Sequence, residues 1–339
     1  MMRTGKLVLL LVITMTFQSC FKKDEMIVPY PRGNVRIDTI QMTKTYLNQV
    51  YFRLDSGEVV SSDTKTSFDL GFECSDTGWH ILLNTSDFMK VADLGTAMLG
   101  QEYGTAGLKW MFDKSDGNPD SIAIGQWFSV NGKDTVSNNH LYAIDRGLDE
   151  FGNALGIVQV KFDSLKNNSY YFRYAPIKGG AIISGKVTKD PLVRYLWFSV
   201  KTGSVVHNEP PKTGYDLLFT QYTTLLFTDE GVPYPYLVTG VLLNPNQVEV
   251  AVDSIHDFYR ITQEVASGLN FSKSLDAVGY DWKILESTTT GAYTIRKKRN
   301  YIMHGVSGAF YKFRFIGFYN EKGEKGYPVF EYQQLLTPQ

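Results

Sequence analysis

From residue 35 onward the chain breaks into short runs in which apolar and polar side chains alternate, separated by Gly, Asn, Asp and Pro. A period of two belongs to a strand with one covered face, so the pattern predicts antiparallel sheet. Val158, Val160 and Phe162 point one way, and Gln159 and Lys161 the other. After a turn predicted over residues 163–168, Tyr170, Phe172 and Tyr174 repeat the pattern. Near the C-terminus Tyr311, Phe313 and Phe315 share a face, with Lys312 and Arg314 opposite. A turn over residues 320–326 then leads into a returning strand at residues 329–332. Helix is scarce. Residues 254–267 carry a loose helical spacing through Ile255, Phe258, Tyr259, Ile261 and Val265, and a pair of strands fits them nearly as well. The expectation is an all-β protein with few short helices.

One pattern occurs twice. Residues 51–73 read YFRLDSGEVVSSDTKTSFDLGFE, and residues 197–220 read WFSVKTGSVVHNEPPKTGYDLLFT. With one residue inserted in the second copy, Phe52 aligns with Phe198, Gly57 with Gly203, Asp69 with Asp216 and Phe72 with Phe219. Tyr142 and Tyr301 then open equivalent strands, and Trp127 and Trp282 stand at comparable places upstream of them. Ordered matches with one gap indicate a tandem duplication. Gly179, Gly180 and Pro191 punctuate the joint, giving an N-terminal β domain at 35–180 and a C-terminal one at 185–339. Asp69 and Asp216 are the two carboxylates fixed by the repeat. Each interrupts an apolar strand, which suits a hydrogen-bonded turn better than acid–base work.

Composition changes little in this picture. The 339 residues suffice for two cores, and 34 Lys+Arg against 35 Asp+Glu give no reason to expect a nucleic-acid partner. The 21 Tyr and 21 Phe favour strands. The beginning of the chain does change it. Arg3 and Lys6 precede an apolar run over residues 7–17, and Ser19-Cys20 follows. Residues 1–20 thus resemble a bacterial lipoprotein signal in which Cys20 becomes the lipidated terminus. Lys22-Lys23-Asp24-Glu25 resembles the surface-export signal of Bacteroidetes lipoproteins, and residues 21–34 read as a tether. The expected address is the outer membrane, lipid-anchored and exposed on the cell surface. Cys74 is then the one remaining thiol, a small buried hydrophobe.

An aromatic strand with Gly-x-Val-Val, a second with [Phe/Tyr]-Asp-Leu-x-Phe, a variable middle and a closing pair of strands make up each copy's order, the first copy ending Tyr171-Phe172-Arg173-Tyr174 and the second Val329-Phe330-Glu331-Tyr332. This order resembles the HmuY family of Bacteroidetes lipoproteins, most closely over residues 192–336 and more weakly over 35–174. The resemblance implies two tandem HmuY-like antiparallel β domains and non-covalent capture of haem or a related porphyrin, followed by handover to a TonB-dependent receptor. Haem iron needs a His, Met, Cys or Tyr side chain. In His-ligated members of the family one ligand lies upstream of a landmark Trp and the other shortly after it. Trp282 is that landmark in the second copy, and His256 has the upstream spacing, whereas no ligand stands near residues 287–288. Around Trp127 in the first copy both positions lack a ligand. Met303 and His304 are weaker ligand candidates, and Met89, Met98 and Met111 are available to a Met-ligated pocket.

Other motifs carry less. Residues 180–187 nearly spell a phosphate-binding loop but end in Val187 where Ser or Thr is required. No two histidines have zinc-motif spacing, and no Gly-x-Ser-x-Gly is present. The cluster Arg296-Lys297-Lys298-Arg299 reads as a solvated edge that discourages aggregation. The expected function is therefore binding and not catalysis. The alternative is a non-enzymatic module that kept the fold, lost the haem site and binds a protein or a glycan.

Overall fold

The computed structural model describes residues 34–131, 134–287, 289 and 291–336. Cys20 and nearly all of the tether lie outside these residues. The described chain opens with strands β1 (Arg36–Thr39), β2 (Asn48–Arg53) and β3 (Glu58–Thr64). Next come β4 (Leu70–Glu73), β5 (Ile81–Leu83), β6 (Lys90–Asp93), β7 (Phe128–Asn131) and β8 (Asp134–Ser137). Then follow β9 (Tyr142–Asp145), β10 (Ile157–Lys166), β11 (Ser169–Pro176) and β12 (Ile183–Thr188). β13 (Tyr195–Ser199), β14 (Ser204–Val206), β15 (Leu217–Phe227), β16 (Pro233–Leu243) and β17 (Glu249–Asp253) lead to helix α1 (Gln263–Ser267). The chain ends through β18 (Lys283–Ser287), β19 (Ala292–Ile295), β20 (Asn300–His304), β21 (Phe310–Tyr319) and β22 (Lys325–Leu335). The fold is all-β, and every strand pair is antiparallel.

The sheets come in matching pairs. One five-stranded sheet has the order β1-β22-β21-β20-β17 and the other β12-β11-β10-β9-β6. One four-stranded sheet runs β16-β15-β2-β3 and the other β5-β4-β13-β14. Each order maps onto its partner when the strands are exchanged as the sequence repeat dictates. Registers match as well, since Leu217 pairs with Phe52 as Leu70 pairs with Phe198. Gly57 and Gly203 recur because each turns its hairpin at positive φ, 71° and 68°, where a Cβ is unwelcome.

Two local expectations change. The turn predicted over residues 163–168 shrinks to Asn167 and Asn168, both at positive φ, in the two-residue hairpin geometry that Asn tolerates. Strand β10 runs on to Lys166 because a bulge between Phe162 and Ser164 resets its alternation. The helical spacing over residues 254–267 yields only a 3-10 turn (Phe258–Arg260) and the five-residue α1, capped by Thr262. Lys312 fixes this segment by donating from Nζ to the carbonyls of Phe258 and Ile261 at 2.9 and 3.0 Å. Ile261 and Ala266 thereby cover Ile302 on the outer face of the sheet.

The described residues form two large cores. One gathers Leu70, Phe72, Trp127, Phe162, Phe172 and Phe198, all between residues 70 and 198. The other joins Val50 and Phe52 to Leu217, Trp282, Phe313 and Phe330. The leading strands of each copy therefore complete the other copy's core. β2 lies beside β15, β13 beside β4, β1 beside β22 and β12 beside β11. We propose residues 35–180 and 185–339 as the units of duplication, while packing groups the residues by this exchange.

The two repeat aspartates hold the exchange in place. Asp69 accepts from the Val200 N–H at 2.7 Å and from Arg146 Nε at 2.7 Å. Its counterpart Asp216 accepts from the Leu54 N–H and the Val306 N–H, both at 2.8 Å. Backbone bonds repeat the symmetry, with Asp69 N–H donating to Phe198 O and Asp216 N–H to Phe52 O at 2.9 Å. Asn84 and Asn244 tie off the same corners, each donating through its amide to two carbonyls. A buried polar lock joins the two bodies. Lys65 Nζ donates to Ser86 O at 3.0 Å and to Gln221 Oε1 at 2.8 Å, and it lies 3.7 Å from Asp87 Oδ1.

Two expectations follow for stability. Asp69→Ala leaves Arg146 buried without its carboxylate and should cost about 3–5 kcal/mol. Asp216→Ala orphans only backbone donors and should cost about 1–3 kcal/mol for each that stays buried. In amide exchange the first variant should expose β13–β14 and the second β2–β3, and the opposite assignment would refute the exchange. The second expectation concerns pH. Burial pushes the Asp87 carboxyl up to about 7, against the pull of Lys65. The folded chain thus holds this proton more tightly than the unfolded one, so the group's contribution is full below about 4 and is lost as pH rises through 7. Urea unfolding of wild type and Asp87→Asn should show their gap moving in the variant's favour between pH 4 and 7.

Candidate functional site

The residues singled out from sequence do not converge. His256 follows β17, and its Nδ1 pairs with the buried Asp253 carboxylate at 2.7 Å. The Ile255 and His256 N–H groups donate to the other Asp253 oxygen at 2.7 and 3.1 Å. That carboxylate is held below its ordinary range: burial would raise it, but the two backbone donors and His256 outweigh that. No other described group bonds Nε2, and the side chain is 43% exposed. Ile255, Val252 and Tyr259 are exposed in the same stretch, Ile255 to 90%.

Met303 and His304 lie on β20 at the far end of this strand pair. His304 stands opposite Glu249, and Asn300 opposite Asp253. Four residues of strand, roughly 13 Å, therefore separate His304 from the His256 end. Met303 points into the core with no exposed surface, and His304 turns outward against Phe310. Met89 is buried, Met98 and Met111 are exposed, and both landmark tryptophans are core residues. Among the described residues no group of three or more His, Cys, Asp or Glu side chains could hold a metal ion.

A cavity of about 220 Å³ opens elsewhere, between the two four-stranded sheets. Period two explains its walls. Phe52 and Phe198 face their cores, so their neighbours Tyr51 and Trp197 face the other way, toward the cavity. Tyr51 meets Tyr215 edge-on at 4.8 Å, and Trp197 meets Phe68 at 4.7 Å. These four are two pairs of equivalent repeat positions, which sets the cavity where the two copies confront each other. The indole of Trp197 packs against Gly71, whose absent Cβ would stand 3.0 Å from the ring. Asp113 closes one side by accepting from the Leu83 and Ala123 N–H groups at 2.7 and 2.8 Å.

The cavity lining also carries His80, Asp113, Lys114, Arg194 and Glu209. Glu209 accepts from the Tyr195 N–H at 3.2 Å, and burial pushes its carboxyl up to about 8 despite that bond, the Trp197 indole and nearby Arg194. Burial likewise raises Asp113 to about 6, against its two backbone donors. Arg194 faces Glu73 at 3.5 Å, and Glu73 also takes His80 Nδ1 at 2.5 Å. The cavity thus offers aromatic and leucine walls, a Glu209 carboxyl shifted toward its protonated form, the Asp113 carboxylate, Lys114 and side-chain amides from Gln49 and Gln221. The sequence reading missed it, although adjacent aromatics at Tyr51-Phe52 and Trp197-Phe198 signal strands covered on both faces.

The fold is antiparallel and internally duplicated. The family model described as "HmuY protein" matches residues 45–332. The chain belongs to the HmuY family, which is one of binding proteins and not of enzymes. Among solved structures it is similar to apo PinO from Porphyromonas gingivitis, at 9% identity over 90% of this chain and 98% of that one, with a TM-score of 0.30. It is also similar to an apo HmuY analogue from Tannerella forsythia, at 12% identity over 89% and 96%, with a TM-score of 0.26. No curated protein matches. The assignment rests on the family model.

Proposed function

We propose that the protein is a surface lipoprotein, anchored through Cys20, that captures haem or a related porphyrin non-covalently and passes it to a TonB-dependent receptor. Family membership supports this reading, and one observation carries it: His256 is oriented like a metal-ligating imidazole. In such ligands a carboxylate fixes the ring through one nitrogen and leaves the other to the metal. Asp253 bonds Nδ1 and leaves Nε2 to a ligand, in a stretch where Ile255 and Tyr259 expose surface that suits a macrocycle. A single histidine is enough for a five-coordinate iron of the globin type. Met303 and His304 are too far away to supply the sixth ligand of the same iron.

That missing partner favours the second reading, a module that kept the fold and binds a protein or a glycan instead. Haemin titrated into the protein separates the two. The expected result is a Soret shift saturating at one equivalent, weakened at least tenfold in His256→Ala and unchanged in His304→Ala. No spectral change at micromolar haemin would remove haem from the account and leave the second reading.

A further inference from the structure

We infer that the cavity between the two four-stranded sheets is a second binding site, for a small planar ring compound that accepts a hydrogen bond. The inference goes beyond haem capture and does not depend on it, since His256 contributes nothing to the cavity wall.

Shape sets the ring. Tyr51, Tyr215, Phe68 and Trp197 supply aromatic walls, and Leu82, Leu218 and Leu242 fill the space between them. Aromatic rings prefer such edge-on and offset neighbours. Size sets the number of rings. An apolar cavity of about 150 Å³ takes up benzene, so about 220 Å³ suits one or two fused rings, and not four pyrroles around an iron.

Glu209 sets the polar requirement. Its carboxyl is fixed by the Tyr195 N–H at 3.2 Å and stands among Tyr51, Tyr195, Tyr215, Trp197 and Arg194. The tyrosine hydroxyls are pushed upward by burial and stay neutral. The Arg194 guanidinium is turned to Glu73. A carboxyl that keeps its proton in such surroundings is a donor, and a ring nitrogen or carbonyl is its natural acceptor.

The test uses the full chain and a shape-matched pair of fluorine-NMR probes, 6-fluoroquinoline and 2-fluoronaphthalene. They differ at one ring atom, the acceptor nitrogen. The quinoline should bind about tenfold more tightly. Glu209→Gln, whose amide still donates, should keep that preference. Glu209→Leu should abolish it while leaving the naphthalene affinity in place. Gly71→Ala pushes the indole into the cavity and should weaken both probes, and His256→Ala should affect neither. Thermal unfolding of each variant confirms that it is folded. The inference is overturned if the two probes bind wild type equally, if the preference survives Glu209→Leu, or if Gly71→Ala leaves both affinities unchanged. A haemin titration that fails would not bear on these outcomes.

Discussion

Two buried carboxylates hold each copy of the repeat to the other. Asp69 and Asp216 occupy the same position in the two copies, and each accepts the N–H that follows the opposite copy's exchanged strand. A buried carboxylate is tolerable only where donors surround it, so each aspartate demands that hairpin and holds it there. The matched sheet orders, the shared register and the two cores all presuppose this arrangement. The copies have solved the corner differently, however. Asp69 has Arg146 as a counter-ion, whereas Asp216 relies on backbone donors, and burial accordingly raises its pKa.

Exchange also decides where a ligand can go. Each four-stranded sheet combines strands from both copies and buries one face in its own core. The opposite faces are left looking at each other, and their aromatic side chains cannot close the gap completely. The cavity is thus a by-product of joining two similar sheets, lined by residues the duplication itself provided. His256 belongs to another logic. It sits on an irregular segment of one copy only, held by Asp253, in a stretch whose helical hints dissolve into a 3-10 turn and one short helix. The two proposed sites therefore differ in origin, one made by symmetry and the other by its loss.

Much of the fold was legible because it rests on local period. The alternation at residues 158–162, 170–174 and 311–315 reports which face of each strand is covered, and all three stretches form strands. The repeat was legible because equivalent corners need the same Gly, Asp and aromatic residues. Pairing between copies was not. An alignment of Phe52 with Phe198 is equally compatible with each strand serving its own copy or the other, since the same contacts form either way. The bulge at residues 162–164 was hidden because one unpaired residue looks in sequence like a turn. The cavity was hidden because specificity was sought in the divergent middle, whereas Tyr51, Trp197 and Tyr215 lie within the repeated motif.

The order in which strands leave the ribosome now acquires a meaning. Strands β4 to β14 are one uninterrupted stretch and hold all of one core, so that body has its parts as soon as residue 206 is made. Strands β2 and β3 can pair with each other early, yet β1 and the other edge of β2 have no partner until β22 and β15 arrive, more than a hundred and fifty residues later. In the interval they present unpaired edges, the hazard that chaperones of nascent and exported chains exist to cover. Val59 and Val60 remain exposed even in the finished edge strand β3, where Glu58 and Asp63 keep charge beside them. The first hairpin of this chain is thus written for a partner at the opposite end of the sequence and must stay soluble while it waits.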